Sequence, residues 1–248
     1  MKILFTICGR AGSKGLKNKN LLNFLDKPLV YHSISAIDLF VKKQSLFNNL
    51  VYDIVLNTDS DKLIEIVKNN KMQNVYVIHR TEALSGDRVA KKDVIADSYL
   101  QMKKDYDVVV DLDITSPLRT CDDLCNLINK YMDSKPDLVF SVTESRRNPY
   151  FNMVCVRDGK IKKVIDSNYT TRQEAPAIYD MNASLYAYSP KFLMSDVGLL
   201  NGRSEIIIMK DTAVLDIDKG DDFELLQVVA RYFYDRIFKY REVYENIK

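Results

Sequence analysis

The chain is short of the residues that mark the simplest catalytic and metal-binding classes. Only two histidines occur in 248 residues, His32 in a helical pattern and His79 in a strand-like one. Both read as structural, and two such histidines build no Ser-His-Asp set. The four cysteines, Cys8, Cys121, Cys125 and Cys155, form no C-x-x-C pair, and no histidine lies near Cys121 and Cys125 to complete a zinc set. Reduced thiols in a cytoplasmic protein are expected instead. Eight glycines and six prolines exclude a collagen-like or Gly/Pro-rich disordered chain. The net charge of +2 gives no argument for nucleic acid. No run approaches the ~20 apolar residues of a membrane span. The N-terminal MKILFTICGRAGSKG is apolar first and basic second, the order of a buried strand and its loop rather than of a signal peptide.

What is present is an ordinary globular balance, 46% hydrophobic and 28% charged, in a length that suits one large domain or two small ones. Strand-like runs alternate with helical patterns. KILFTIC (2–8), YDIVLNT (52–58), NVYVIHR (74–80), DVVVDLD (107–113) and DLVFSVT (137–143) read as strands. Segments 28–42, 90–103 and 121–132 read as helices, as does the stretch after 52–58, where Asp59, Ser60 or Asp61 can act as cap and Leu63, Ile64 and Val67 lie on one face. That rhythm predicts an α/β fold with a mainly parallel sheet, helices on both faces, and ligands beyond the C-terminal strand ends. It breaks near residue 145. VCVRDGKIKKVI (154–165) reads as a hairpin around Asp158-Gly159, followed by a polar stretch over 166–182. Strand character returns at 184–189 and 205–209, and a helix closes the chain over 220–238. Residues 145–182 therefore read as an insertion within one domain.

Charge is unevenly placed. Residues 1–25 carry Lys2, Arg10, Lys14, Lys17 and Lys19 with no acid, whereas 211–224 carry six acids against Lys219. A basic glycine-containing loop and a distant acidic cluster suit a polyphosphate and its metal ion. The loop GRAGSKGLKNKN (9–20) follows the first strand; its glycines permit a tight turn, and successive N–H groups in such a turn bind anions. Arg10 offers a planar fork, Lys14 and Lys19 point charges. It is neither a Walker A loop nor G-x-G-x-x-G, and composition alone leaves it as a basic surface loop. RTEALSGDRVAKKDVI (80–95) is a polar loop entering a helix. DLDITSPLRT (111–120) ends a buried strand and spells D-x-D at Asp111 and Asp113. TTRQEAPAIYDMNASLYAY (170–188) reads as a polar hairpin with a core tyrosine. LDID (215–218) sets Asp216 and Asp218 two apart on extended chain, pointing the same way, so that they can share one hard cation or form a solvated acidic turn.

These segments, in this order and over nearly the whole chain, resemble CMP-sialic acid synthetases (acylneuraminate cytidylyltransferases). The resemblance implies a three-layer α/β/α nucleotidyltransferase fold of the nucleotide-diphospho-sugar transferase type. It implies CTP as substrate, with Arg10, Gly12, Ser13 and Lys14 around the triphosphate and Lys19 and Asn20 on the nucleotide. Arg80, Asp87, the backbone near Val89 and the position of Lys91 fall around the base, although many relatives carry a small hydroxyl residue at position 91. Where the family has Q-P-T-S-P-L-R this chain has Asp113-Ile114-Thr115-Ser116-Pro117-Leu118-Arg119. Asp113 then faces the sugar, either to bind its hydroxyls or to assist a metal ion. Ser116 and, from the family segment R-Q-x-x-P…N-G-x-I-Y, Arg172, Gln173, Asn182 and Tyr186 complete the sugar site. The metal, Mg²⁺ or Mn²⁺, falls to Asp216 and Asp218. RRNPYFN and YDMNAS most resemble the CMP-legionaminic acid branch. The family also implies a homodimer formed through 145–182, which reaches toward the partner's active site, with no nucleic-acid or membrane partner. The expected reaction is CTP plus a 2-keto-3-deoxy nonulosonic acid giving CMP-sugar and pyrophosphate. CMP-Neu5Ac or CMP-Kdo synthesis, a GT-A type glycosyltransferase using the D-x-D pair, and a non-catalytic nucleotide-binding module are the alternatives.

Overall fold

A computed structural model describes residues 1–12, 15–44, 50–86, 88–210 and 217–248, and the backbone at 45. Seven strands form one sheet, whose spatial order sets the site. They are β1 (Lys2–Cys8), β4 (Val51–Thr58), β5 (Tyr76–His79), β6 (Val108–Leu112), β7 (Leu138–Glu144), β10 (Tyr179–Tyr188) and β11 (Ser204–Ile208). Two small ribbons account for the other strand numbers: β2 (Asn23–Phe24) with β3 (Lys27–Pro28), and β8 (Val154–Arg157) with β9 (Lys160–Lys163). The sheet order is β11-β7-β10-β6-β1-β4-β5. β1 lies between β4 and β6, parallel to both. The chain thus winds one way from β1 through β4 to β5 and returns on the other side at β6. Such a reversal opens a crevice at the C-terminal strand ends.

Both faces of the sheet are covered. In β1, Ile3, Phe5 and Ile7 face one core while Leu4 faces the other, the period-2 alternation of a strand buried on both sides. The larger core collects α1 (Leu29–Ser45), α2 (Asp61–Lys68), α4 (Cys121–Ser134), α6 (Gly220–Arg236) and α7 (Phe238–Glu245). The smaller collects α3 (Lys91–Met102) and α5 (Pro190–Leu193). Helix starts follow local chemistry. Ser60 accepts the Leu63 N–H to cap α2. Thr120 and Asp123 exchange side-chain and backbone hydrogen bonds in a capping box that fixes where α4 begins.

The mainly parallel, helix-covered sheet matches the sequence expectation, with differences that have physical causes. β10 runs antiparallel to both β6 and β7. It begins at Tyr179, inside the stretch read as polar, because an edge of exposed residues extends the ladder past the core. A register shift lies between Met181 and Tyr186, and Ala183 sits there at φ 53°. The terminal helix is split at Ile237, whose extended backbone ends α6 and starts α7. The hairpin around Asp158-Gly159 forms as read, both turn residues having positive φ. It projects as an exposed arm, with Val154, Val156 and Ile161 largely open to solvent. Among the described residues no helix is long and apolar enough to cross a membrane.

Candidate active site

A cavity of about 280 Å³ opens at the reversal point. Its lining includes Cys8, Arg10, Lys19, Asn20, Arg80, Lys91, Asp113 and Thr115, with Leu84, Val89 and Val94 as apolar walls. Six of the residues proposed from sequence for the nucleotide and sugar thus converge on one space, although they span more than a hundred positions of chain.

The basic loop is held on three sides. Asn20 donates from Nδ2 to the Arg10 carbonyl at 3.1 Å, and the Ala11 N–H donates to Asp59 Oδ1 at 2.6 Å. Gly12 has φ 71° with no described residue near a would-be side chain, so glycine serves the turn itself. Gly15 serves space: a Cβ there would lie 2.2 Å from the Asp218 carbonyl oxygen. The Leu16 N–H bonds that same oxygen at 2.8 Å, and Lys19 Nζ reaches both the Ile217 carbonyl (2.7 Å) and Asp218 Oδ1 (2.9 Å). The basic loop and the acidic segment are therefore docked backbone to backbone. Ser13, Lys14, Asp87 and Asp216 lie outside the described residues. Asp218 keeps a largely exposed carboxylate with one oxygen on Lys19. Its second oxygen takes no hydrogen bond from a described residue, a hard donor beside the phosphate loop that fits a Mg²⁺ or Mn²⁺ ion.

Arg80 is aimed by Asn57 at the end of β4. Its Nε donates to Asn57 Oδ1 (2.9 Å) and one terminal nitrogen to the Asn57 carbonyl (2.7 Å). Asn57 is itself locked by Asp97 Oδ2 (2.9 Å) and Ser98 Oγ (3.0 Å).

The cavity floor is a charge cluster. Lys91 Nζ lies 2.7 Å from Asp111 Oδ2 and 2.6 Å from Asp113 Oδ2. Thr6 donates to Asp111 Oδ1 at 2.8 Å, and Thr115 donates to Asp113 Oδ1 through its N–H (2.8 Å) and its hydroxyl (2.7 Å). Burial alone would raise the Asp113 pKa. The Lys91 charge and hydrogen bond, with those of Thr115, outweigh it and hold the carboxyl well below the usual range. Burial likewise disfavours the Lys91 ammonium, but Asp111 and Asp113 overcome it and raise its pKa. Burial, with the Asp111 charge, pushes the Cys8 thiol up, so it stays protonated.

Arg119, fully buried, clamps this floor from below. It donates to Ser33 Oγ (2.7 Å), the Asp113 carbonyl (2.5 Å), Ser184 Oγ (3.3 Å) and the Ser184 carbonyl (3.3 Å). It joins α1, the post-β6 loop and β10. Burial lowers its pKa to about 10, which leaves it charged at neutral pH.

The remaining sugar candidates do not line this cavity. Ser116 is buried with an unpartnered hydroxyl, next to Thr115, which does line it. Asn182 is buried in β10, its Oδ1 accepting from Ser141 Oγ (2.5 Å) and the Ser184 N–H (3.2 Å), while its Nδ2 has no partner. Tyr186 stacks between Phe140 and Tyr188 within the sheet. Arg172 and Gln173 are exposed on the inserted segment, and Arg172 donates to the Arg146 carbonyl at 2.7 Å. Sequence reasoning did not single out Cys8, Asn57, Thr115 or Arg119. Arg119 carried a signal, as the charged end of the T-S-P-L-R run; Asn57 carried only its place at a strand end.

Comparison with known proteins places the chain in a family. A flagellin post-translational modification protein B of Campylobacter coli is 33% identical over 93% of this chain and 95% of its own length. A CMP-N,N′-diacetyllegionaminic acid synthase of Campylobacter jejuni is 32% identical over 91% and 94%. The solved structure of a CMP:2-keto-3-deoxy-manno-octonic acid synthetase complexed with CTP superposes with a TM-score of 0.63 at 16% identity, covering 94% of this chain and 99% of that one. The family model for cytidylyltransferases matches residues 4–239, and the chain belongs to the cytidylyltransferase family.

Proposed function

We propose that this enzyme transfers the cytidylyl group of CTP to the anomeric hydroxyl of a nonulosonic acid, a legionaminic acid by preference, and releases pyrophosphate. One observation carries the reading. A cationic cavity with apolar side walls lies at the sheet's reversal point, and the basic loop at its mouth is bonded directly to Ile217 and Asp218, within the acidic 211–224 stretch. The identity with a legionaminic acid synthase over nearly the full length of both chains supports the sugar.

In this reading Leu84, Val89 and Val94 flank the base, and Arg80, pre-aimed by Asn57, donates to its carbonyl edge. Arg10 faces the triphosphate, and the family resemblance assigns Lys14 to the same group. The sugar hydroxyl oxygen forms a bond to the α-phosphorus as the bond from that phosphorus to the bridging oxygen of pyrophosphate breaks in line. Positioning and charge neutralisation supply most of the rate in such a transfer. A Mg²⁺ ion held by Asp218, with Asp216 as its second ligand, would supply Lewis-acid polarisation of the phosphate oxygens. Asp113 is a poor general base, since both its oxygens are engaged and it is held ionised. The hydroxyl proton therefore leaves to solvent or with pyrophosphate.

The exposed Arg172 and Gln173 suit the sugar carboxylate and hydroxyls from across a homodimer interface, the exposed Val154, Val156 and Ile161 forming part of the contact. A monomer in sedimentation at micromolar concentration would refute the dimer. The function is tested by pyrophosphate release from CTP and Mg²⁺ with N,N′-diacetyllegionaminic acid, Neu5Ac and Kdo in parallel. Release with the first alone is expected. Release with Neu5Ac alone overturns the sugar, and release with none overturns the reaction.

A further inference from the structure

Two of the positions at which this chain differs from the family segments it resembles, Lys91 and Asp113, are bonded to each other, Lys91 Nζ lying 2.6 Å from Asp113 Oδ2. The same nitrogen lies 2.7 Å from Asp111 Oδ2, so one ammonium faces two carboxylates.

Asp111 is the fourth residue of β6, and Asp113 follows that strand by one. Side chains two apart on an extended chain share a face, so the two carboxylates converge on one point. Oxygen pairs converging in this way, on a strand end that opens into a nucleotide-sized cavity, form a seat for a hard divalent cation. Here the seat holds an ammonium at the distances of charge-assisted hydrogen bonds. The outer oxygens are committed as well, that of Asp111 to Thr6 and that of Asp113 to Thr115. Asp111 is completely buried, and its charge requires a counter-ion that is always present. A tethered lysine on the first turn of α3 meets that requirement at any metal concentration.

We propose that Lys91 is a built-in cation, occupying between Asp111 and Asp113 the seat a divalent metal would otherwise take. It positions both carboxylates and bars metal from the floor of the cavity. One of its N–H groups donates to Asp113 Oδ2, while Asp111 Oδ2 is met by the ammonium's charge at 2.7 Å rather than by a hydrogen bond. In the proposed cytidylyl transfer, on which only this consequence rests, the divalent ion is then confined to the Asp218 side.

The test is a metal count made without substrate, so its failure is separate from any failure of the proposed reaction. Mn²⁺ binding is followed by electron paramagnetic resonance on the purified chain, with thermal melts in chelator and in excess Mn²⁺. Lys91→Ser is expected to bind one more Mn²⁺ per chain than the parent. It should melt lower than the parent in chelator, and Mn²⁺ should raise its midpoint by more than the parent's. Lys91→Ser/Asp113→Gln should lose the extra Mn²⁺ and melt above Lys91→Ser in chelator. An equal Mn²⁺ count in Lys91→Ser and the parent overturns the proposal. So does an extra ion that survives Asp113→Gln. Should Lys91→Ser fail to fold in chelator, it is expected to fold with Mn²⁺ present, and failure there also overturns it.

Discussion

Gly15→Ala isolates the contact that joins the basic loop to the acidic segment. The added Cβ would meet the Asp218 carbonyl oxygen at 2.2 Å and its carbonyl carbon at 3.3 Å. These are backbone atoms, so no side chain can swing aside. Relief to the ~3.4 Å of ordinary contact requires the two segments to part by roughly 1 Å. That movement stretches the 2.8 Å bond from the Leu16 N–H to Asp218 and the 2.9 Å pair between Lys19 and Asp218. Loss of one backbone hydrogen bond at the surface costs about 1 kcal/mol of stability. A displacement of 1 Å between groups that act on one transition state costs about 10²-fold in rate, or about 2.7 kcal/mol. The variant is therefore expected to lose about 100-fold in kcat/KM while its melting temperature drops only about 2–4 °C. Steady-state pyrophosphate release and a thermal melt read the two quantities. Gly12→Ala is the control: φ 71° makes alanine strained, but no described residue lies within 4 Å of its Cβ. It should cost about 1 kcal/mol in stability and less than about 10-fold in activity. A folded Gly15→Ala enzyme with more than a third of the parent's kcat/KM would refute the docking argument.

Three further outcomes follow from the same geometry. Asn57→Ala removes the acceptor that aims Arg80 Nε; with about 1.5 kcal/mol of charge-assisted hydrogen bond lost, KM for CTP should rise roughly tenfold, and a KM within twofold of the parent refutes the anchoring role. His32 is packed against Phe24 and Tyr244, and burial, with the charges of Arg119 and Lys27, pushes its pKa from 6.5 to about 3. The unfolded chain then binds a proton that the folded one refuses, so stability is full above pH 6.5 and falls with pH toward 3, by about 3 kcal/mol at pH 4.5; urea titrations of His32→Leu should show a flatter acid limb, and an unchanged limb contradicts the assignment. Ala183→Gly relieves about 1–2 kcal/mol of left-handed backbone against the 0.4–1 kcal/mol that glycine costs through the unfolded chain, so the melting temperature should rise by about 1–2 °C, and a fall would show that Ala183 is not strained.

The sequence by itself determined the layers and the mainly parallel sheet, and it marked the loop after β1 as basic and glycine-containing. Buried strands such as KILFTIC and DVVVDLD announce themselves through unbroken apolar runs, and turn and cap residues such as Asp158-Gly159 and Ser60 act on their immediate neighbours. Basic and acidic segments far apart in sequence also pointed to a common ligand, since only a polyphosphate and its counter-ion need both. Partnership was decided by tertiary structure alone. Asp113 read as a sugar contact slightly more than as a helper of a metal ion, and nothing in the chain announced that α3 brings Lys91 to within 2.6 Å of it. Arg119 looked like the end of a motif until burial turned it into a clamp across α1, the post-β6 loop and β10. Gly15 read as a flexible phosphate-loop glycine, and only the approach of Asp218 from two hundred residues away shows that its missing side chain is what lets the two halves of the site touch. Local propensity acts over a few residues and is written in the chain, whereas a pKa, a buried counter-charge or a steric gap is fixed by whichever distant atoms the packed core places beside it.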